Sequence, residues 1–259
     1  QHMKIQVEGR ASTLLTFVVR IKSNATAPND PLRLDLHSSP QLRIMGMSNL
    51  WKSITKEMGK PLAEARGEAM KALGEARASV ARANAPIGEV FGSQIPGTVS
   101  YSTRRPRGVI LGINPWNFPF STPMRKAIPA LVYGNAIILK PASLTPGAVA
   151  LMAEVAASTL PENLVQAVIG RGALGQALAE HRGIDAVSFT GSVEVGKRVA
   201  TAAAGHLAEV SLELGAKNPA VLNDASDLDR ALDQILLATF AACGQRCTAV
   251  SQVIVHRDL

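Results

Sequence analysis

The sequence predicts a doubly wound α/β domain, in which a parallel β-sheet carries helices on both faces. Short apolar runs of strand length alternate with helical patterns from residue 109 onward. One helix separates successive strands, which is the crossover that parallel pairing requires. Glycine, proline and polar residues follow the strands, at the sheet edge where folds of this class bind their ligands.

The elements of this fold can be placed in order along the chain. The expected strands are 109–113, 136–139, 165–169, 186–189, 210–214 and 250–255. The expected helices are 124–133, 149–157, 173–179, 193–203 and 228–241. The loops that follow the first five strands are therefore the places where we expect a site.

The region before residue 86 has a different pattern. Residues 50–83 place apolar side chains three or four positions apart, which predicts a helix. Gly59-Lys60-Pro61 should interrupt it, because proline cannot continue a helix from its interior. Residues 14–21 fit a short strand, and 23–40 form a Pro-, Ser- and Asn-rich run in which no motif is recognised.

Composition limits the classes of function. The chain of 259 residues is 47% hydrophobic and carries a formal net charge of +7. The absence of a basic run and an aromatic content of only 4% argue against a nucleic-acid channel, whereas a small anionic ligand fits the charge. No stretch reaches the roughly 18 consecutive apolar residues of a membrane helix. The two cysteines, four positions apart, form no disulfide framework or paired metal-ligand motif, so we expect a cytoplasmic protein without a metal.

Cys247, behind the glycine turn at Gly244, is the candidate nucleophile. The reactive form of cysteine is the thiolate, and a nearby carboxylate can accept its proton or activate water. Glu213, in a predicted strand, supplies such a carboxylate. Asn117 lies in a stiff loop of two prolines and two aromatic residues, which suits a donor to a developing oxyanion. Alternatively, a lone cysteine is a small buried residue and the amide braces the backbone.

Two glycine-bearing turns each join a predicted strand to a helix. Residues 170–175 read GxGxxG, the spacing of a dinucleotide-binding turn, but the nearest acidic residue about 20 positions on is Glu194, which opens a helix. A turn selected for close packing explains these glycines equally well. In the second turn, 189–196, Ser192 either caps the helix or shares in holding a phosphate.

Five motifs, in this order, resemble the signatures of the aldehyde dehydrogenase superfamily. They are Pro115-Trp116-Asn117-Phe118-Pro119, Lys140-Pro141-Ala142, Phe189-Thr190-Gly191-Ser192, Leu212-Glu213-Leu214-Gly215 and Gly244-Gln245-Arg246-Cys247. The resemblance extends from about Ile54 to the end of the sequence. It implies a cofactor domain of the aldehyde dehydrogenase type, followed by the start of a second, catalytic domain.

The resemblance also implies roles for individual residues. Cys247 would be the nucleophile, Glu213 the general base, and Asn117 with the Cys247 backbone N–H the oxyanion hole. The reaction would be the oxidation of an aldehyde through a cysteine thioester, with NAD or NADP as cofactor. The residues implied to contact the cofactor are Trp116, Lys140, Ser143, Gly172, Gly191, Ser192, Gly196 and Leu214.

Four side chains bear on the choice of cofactor and substrate. Ser143, beside Lys140, would tolerate a 2′-phosphate that a carboxylate would repel, which predicts use of NADP at least as readily as NAD. Arg125 matches the arginine that binds the substrate carboxylate in succinate-semialdehyde dehydrogenases, and Arg246 could do the same beside the nucleophile. The alternative for Arg125 is a solvated surface cation.

The resemblance divides the chain into a poorly matched segment, 1–50, a cofactor-binding domain, 51–222, and the start of a catalytic domain, 223–259. Family members continue further and form homo-oligomers, so we interpret the sequence as truncated. Two other functions stay open. One is a catalytically silent fragment that binds NAD(P). The other is a cysteine hydrolase, whose partner would be His181, His206 or His256.

Overall fold

The computed structural model describes residues 2–5, 19–22, 40–85, 88–224 and 226–259, with side chains from residue 49 onward. The strands are β1 (His2–Ile5), β2 (Val19–Lys22), β3 (Val90–Phe91), β4 (Ser100–Tyr101), β5 (Val109–Ile113), β6 (Ala136–Lys140), β7 (Val165–Ala167), β8 (Ala186–Gly191), β9 (Glu209–Leu214), β10 (Asn218–Leu222) and β11 (Val250–Val255). The helices are α1 (Pro40–Met58), α2 (Leu62–Ala81), α3 (Ser121–Val132), α4 (Gly147–Thr159), α5 (Gly172–Ala179), α6 (Val193–Ala204) and α7 (Leu228–Phe240).

Five parallel strands form the central sheet in the order β7-β6-β5-β8-β9. From β5 at the centre, β6 and β7 follow toward one edge of the sheet. The next two strands, β8 and β9, lie on the other side of β5. The register aligns Ile113 with both Lys140 and Phe189, so β5 and β6 end together and β8 continues two residues further, to Gly191. The carboxyl ends of β5 and β8 therefore form the switch point at which open α/β sheets bind ligands.

Helices cover both faces of this sheet, as the sequence predicts. On one face, α5 and α6 pack against a core that includes Leu111, Val187 and Phe189. On the other face, α3 and α4 pack against Ile137 and Leu139, which are fully buried. All five residues of β6 are buried, as is typical of an inner parallel strand. The predicted doubly wound fold is confirmed.

Helices α1 and α2 form a further layer against α3 and α4. Their shared core includes Ile54, Ala65 and Phe120. The predicted interruption is confirmed, because α1 ends at Met58, Gly59 takes a positive φ of 90°, and α2 starts after Pro61. Helix α1 begins earlier than the sequence predicts. The carboxylate of Glu57 accepts the Gly147 backbone N–H and so caps α4.

Strand β10 is the main element that the sequence analysis leaves out, because Gly215 and Pro219 favour a loop. It pairs in parallel with β11 and forms a separate two-stranded sheet. Pro219 is tolerated because the strand lies at an edge and its register shifts there. Of the predicted strand 14–21, residues 19–21 belong to β2, which pairs with β1, while 14–18 and the run 23–39 lie outside the described residues.

Helix α7 matches its predicted bounds to within one residue and is capped by Asp227, which accepts the Arg230 N–H. All of its residues remain at least partly exposed. Leu236, Leu237 and Phe240 are 54%, 61% and 66% exposed. The helix therefore contributes little to the apolar core of the described chain. Within the described residues, no helix is both long and apolar enough to cross a membrane.

Candidate active site

The predicted catalytic side chains gather at the carboxyl end of the central sheet. Asn117 lies in the loop after β5, and Glu213 lies near the end of β9. Cys247 lies in the segment between α7 and β11. Three stretches of chain, far apart in sequence, therefore have to be held together for the site to form.

The loop that carries Asn117 is fixed by hydrogen bonds at its base. The Asn114 N–H donates to the Lys140 carbonyl at 3.0 Å, and its side-chain Nδ2 donates to the Gly112 carbonyl at 2.9 Å. Asn117 Nδ2 donates to the backbone oxygen of Gln245 at 2.5 Å. Gln245 and Cys247 are two residues apart in the stretch 241–249 between α7 and β11, which we call the nucleophile segment. The Asn117 amide therefore lies beside this segment. Its second N–H is not engaged by this bond.

The segment that presents Cys247 begins with a strained turn. Ala242, Cys243 and Gly244 have φ angles of 55°, 57° and 70°, a run of left-handed residues of which only one is glycine. The Cys247 carbonyl accepts a hydrogen bond from Asn218 Nδ2 at 2.6 Å, and the same amide reaches the Ala249 carbonyl at 3.2 Å. Cys247 itself is exposed.

Glu213 and Lys126 approach each other across the edge of the sheet. Glu213 is level with Thr190 in the β8–β9 register, so both side chains are on the same face, toward α3. On that face Lys126 Nζ donates to Ser188 Oγ at 2.8 Å and Thr190 Oγ1 at 2.9 Å. Burial lowers the pKa of Lys126 to about 8, although the negative charge of Glu213 opposes the shift.

Arg125 is held by two parallel hydrogen bonds, both 2.7 Å long, from its Nε and Nη2 to the carboxylate of Glu75. These bonds are the main reason that the pKa of Arg125 is raised; burial opposes the rise, and the charges of Glu75, Cys247 and Glu213 add to it. Arg125 therefore lies within electrostatic reach of both predicted catalytic groups.

Beside this arginine, a cavity of about 230 Å³ opens between α2 and α3. Two arginines, one carboxylate and one hydroxyl make its lining largely polar. The residues that line it are Glu75, Ala78, Ser79, Arg82, Met124 and Arg125. Its size and charge suit a small anionic molecule.

Arg246, the second predicted substrate arginine, has a different environment. Its Nη2 donates to the Ala238 carbonyl at 2.7 Å and to the Leu237 carbonyl at 3.4 Å. Both carbonyls belong to the last turn of α7, where a cation satisfies groups that the helix leaves unpaired. The guanidinium of Arg246 thus ties the end of α7 to the nucleophile segment, and we assign no substrate contact to it.

The predicted cofactor residues lie at or after the carboxyl ends of the central strands, on both sides of the switch point. Lys140 is only 6% exposed, its Nζ donates to the Pro141 carbonyl at 3.0 Å, and burial lowers its pKa. Ser192 caps α6 by accepting the Val195 N–H at 3.3 Å, as one of the two sequence interpretations predicts. Trp116 and Ser143 are exposed. A cation, hydroxyls and a helix N-terminus are the donors that a pyrophosphate and ribose require, so these residues fit a dinucleotide.

The glycines of this region differ in what they allow. A Cβ on Gly196 would lie 2.6 Å from Leu214 Cδ2, so the glycine lets α6 approach β9 closely. A Cβ on Gly191 would lie 2.6 Å from the ring of Phe189. Gly172, at the start of α5, has open space around its Cα.

Comparisons with known proteins agree with this geometry. The aldehyde dehydrogenase family matches residues 45–259. The chain belongs to this family. Over 207 residues it is 41% identical to the α-ketoglutaric semialdehyde dehydrogenase of Bacillus subtilis (strain 168), a match that covers 79% of the chain and 42% of that enzyme. It is 37% identical over 210 residues to the 2,5-dioxopentanoate dehydrogenase of Saccharolobus solfataricus, covering 80% and 44% of the two proteins.

Solved aldehyde dehydrogenase structures share the fold. An NADP-dependent enzyme of Escherichia coli superposes with a TM-score of 0.78 at 35% identity, over 83% of this chain and 45% of the other. A betaine aldehyde dehydrogenase of Staphylococcus aureus, in complex with NAD+, gives a TM-score of 0.77 at 32% identity, over 83% and 43%. Family members thus use either cofactor. The chain spans less than half the length of each of these relatives.

Several side chains around the candidate site were not predicted. Lys126 follows Arg125 in the chain, but the sequence does not show that it would donate to Ser188 and Thr190, on the face of the sheet that carries Glu213. Asn218 follows the Glu213 motif within a predicted loop, and its spacing from the motif is a signal that could have identified it. Glu75 gives no such signal, because it looks like any solvated helix carboxylate.

The histidines of the hydrolase alternative lie away from the nucleophile. His181 and His206 contact Gly183 and Ile184, at the amino end of β8 and so at the opposite edge of the sheet. His256 follows β11, whereas Cys247 precedes it. The geometry gives no support to a Cys–His pair among these residues.

Proposed function

We propose that the chain contributes the nucleophile and the cofactor-binding domain to the oxidation of a semialdehyde to a carboxylic acid, with NADP or NAD as hydride acceptor. One observation carries the proposal. Asn117 hydrogen-bonds the segment that presents Cys247, and Arg125 lies within electrostatic reach of both Cys247 and Glu213, at the carboxyl end of a dinucleotide-type sheet. Each gives the thiol something that the reaction needs.

The first step is the attack of the Cys247 thiolate on the aldehyde carbon. The carbonyl oxygen becomes an oxyanion, which accepts hydrogen bonds from Asn117 Nδ2 and from the Cys247 backbone N–H. The bond from Asn117 to Gln245 leaves one N–H of the amide for this purpose and fixes its direction. A nicotinamide cofactor, held by residues such as Lys140 and Ser192, would accept the hydride released when the C–H bond of the adduct breaks, and the adduct would become a thioester.

The second step releases the product. Glu213 accepts a proton from water, which attacks the thioester carbonyl, and the same oxyanion donors hold the new negative charge. The carbon–sulfur bond breaks, and the carboxylic acid leaves with Cys247 restored as the thiolate. Lys126 lies within electrostatic reach of Glu213, whose negative charge opposes the lowering of the Lys126 pKa.

The substrate class is that of short semialdehydes that end in a carboxylate. Arg125, which also lines the cavity between α2 and α3, would bind this second carboxylate. The names of the Bacillus and Saccharolobus relatives support a five-carbon oxo-acid aldehyde. Exposed Ser143 beside Lys140 supports use of NADP at least as readily as NAD.

A second candidate function is cofactor binding without turnover. The exposure of Cys247 favours it, because a reacting thioester is normally shielded from water. We also propose that the catalytic domain starts before β10, near residues 215–217, because β10 pairs with β11 and not with the central sheet. Homo-oligomer formation remains an expectation from the family.

The test is aldehyde-dependent formation of NADPH or NADH, followed by absorbance, with the chain and its Cys247→Ser variant. Signal that disappears in the variant supports the dehydrogenase. Cofactor binding in a fluorescence titration, without turnover of any semialdehyde, supports the silent fragment instead. Comparing NADP with NAD in the same assay tests the role of Ser143, and a clear preference for NAD would contradict it.

A further inference from the structure

Three carboxylates of α2 point to the same side of the helix. Glu64, Glu68 and Glu75 are four and seven residues apart, so at about 100° per residue they fall within roughly 40° of one another. Each accepts hydrogen bonds from a different part of the active site. These parts are the turn before the nucleophile, the start of α3, and the substrate arginine.

Glu68 holds the loop that carries the oxyanion donor. Its Oε1 accepts the backbone N–H groups of Phe120 at 3.0 Å and Ser121 at 2.9 Å, where α3 begins without a capping side chain of its own. Its Oε2 accepts from Lys60 Nζ at 2.7 Å, and both side chains of this pair are 1% exposed. Two of the three bonds to this carboxylate therefore hold residues that follow Asn117, and the third comes from Lys60.

Lys60 reaches the same loop from the other side. Its Nζ lies 4.1 Å from the centroid of the Phe118 ring, so the cation contacts the residue next to Asn117. A buried ion pair usually adds little to net stability, because desolvation offsets the attraction. What the pair does provide is a fixed position for the loop residues on both sides of Phe118, Asn117 included.

Glu64 holds the turn before the nucleophile. Its Oε2 accepts the Ala242 N–H at 2.7 Å, at the first of the three left-handed residues. Such a turn persists only when its surroundings hold it. Glu75 completes the face by orienting Arg125, and its own pKa is lowered, chiefly by the hydrogen bond from that arginine.

We propose that this carboxylate face of α2 is an alignment element. Glu68, with Lys60, positions Asn117, Glu64 positions the turn that presents Cys247, and Glu75 positions Arg125. These are positioning residues, because each acts through the segment that it holds. The kinetic meaning of the alignment rests on the proposed dehydrogenase function; the alignment itself can be measured without turnover.

The first test compares Glu64→Ala with Glu64→Gln. Glutamine keeps an oxygen for the Ala242 N–H, whereas alanine removes it, so amide exchange at Ala242 should rise about tenfold only in the alanine variant. The rate at which iodoacetamide alkylates Cys247 should differ from the wild-type rate in the alanine variant. In the glutamine variant it should equal the wild-type rate. Trypsin cleaves after Arg246, so mass spectrometry reads Cys247 separately from Cys243.

The second test uses Lys60→Met with Glu68→Gln, because removing Glu68 alone would leave a buried unpaired cation and risk unfolding. This double variant keeps an acceptor for Phe120 and Ser121. Lys60→Met with Glu68→Ala does not, and exchange at both amides should rise about tenfold in it. With a semialdehyde, kcat should fall about tenfold while KM changes little, because a misplaced oxyanion donor affects the transition state.

Glu154→Gln, an exposed carboxylate of α4, is the matched control for every measurement. The alignment proposal would be overturned if both alanine variants kept the control rates. These rates are amide exchange at Ala242, Phe120 and Ser121, and alkylation of Cys247. If the exchange and alkylation effects occur in a chain that oxidises no aldehyde, the alignment is supported and the proposed function fails. If kcat falls only in variants that have also lost secondary structure overall, the fall reflects unfolding and counts against the alignment proposal.

Discussion

At the scale of single residues, hydrogen bonds fix the orientation of the Arg125 guanidinium, and its positive charge lies near the predicted catalytic groups. Glu75 occupies two of its donors and leaves the others for an anion. The arginine is also within electrostatic reach of Cys247 and Glu213, so under the proposed function an anion that binds it would lie near the predicted nucleophile.

Arg125→Ala should raise KM for a carboxylate-bearing semialdehyde by about 10- to 100-fold, because a charge-assisted bidentate contact is lost. KM for a neutral aldehyde of similar length should change much less. Initial rates with both substrates provide the measurement, and Arg77→Ala, on the exposed side of α2, is the control. An unchanged KM for the semialdehyde would remove Arg125 from the substrate site.

Lys126 connects the site to stability. Its folded-state pKa of about 8 is below the ordinary value of 10.5, because burial disfavours the ammonium form. Between these values the unfolded chain binds more protons than the folded chain, so the stability contribution of Lys126 rises with pH from about 8 to 10.5.

Lys126→Met removes this titration. The free energy of unfolding of the wild type, relative to the variant, should therefore increase by about 2 kcal/mol between roughly pH 7.5 and 9.5. Urea denaturation of both proteins at the two pH values measures it. A difference that is independent of pH would show that Lys126 keeps an ordinary pKa in the folded protein.

At the scale of elements, apolar periodicity predicted most of the fold. The runs at β5 and β6 are fully explained by burial between two helix layers, and the break at Pro61 by the missing N–H of proline. Strand β10 was not predicted, because Pro219 suggested a loop and its partner strand is distant in sequence. Local patterns do not reveal such pairing.

The candidate site was predictable to a similar depth. Motif residues such as Cys247 and Asn117 are recognisable because their chemistry depends on residue type. The carboxylates of α2 are not, because a helix pattern shows which face is apolar and not what the polar residues contact. Glu64 bonds Ala242 across 178 residues, a contact that only the folded chain reveals.

At the scale of the whole molecule, the central sheet and the β10–β11–α7 unit differ in how much apolar surface they bury. Leu111, Ile137 and Leu139 of the sheet are fully buried, whereas Leu237 and Phe240 of α7 are mostly exposed. Polar contacts such as the bond from Asn117 to Gln245 join the two parts. The smaller unit is thus held with less burial energy.

Amide exchange in native buffer should therefore show α7, β10 and β11 opening well before β5 and β6, through local unfolding of lower free energy. Mass spectrometry of peptides from both parts measures the difference. Equal protection of the two parts would mean that the exposed apolar residues of α7 are covered in solution.

The place of β5 in the sheet has a consequence for biosynthesis. This strand pairs with β6, which follows after one helix, and also with β8, which begins at Ala186, more than 70 residues after β5. On the ribosome, β5, β6 and β7 can associate as soon as they emerge, but one side of β5 must wait for β8. Until then the nascent chain exposes the unpaired edge of β5, which will become the centre of the sheet. This is the stage at which a chaperone would bind the chain most readily.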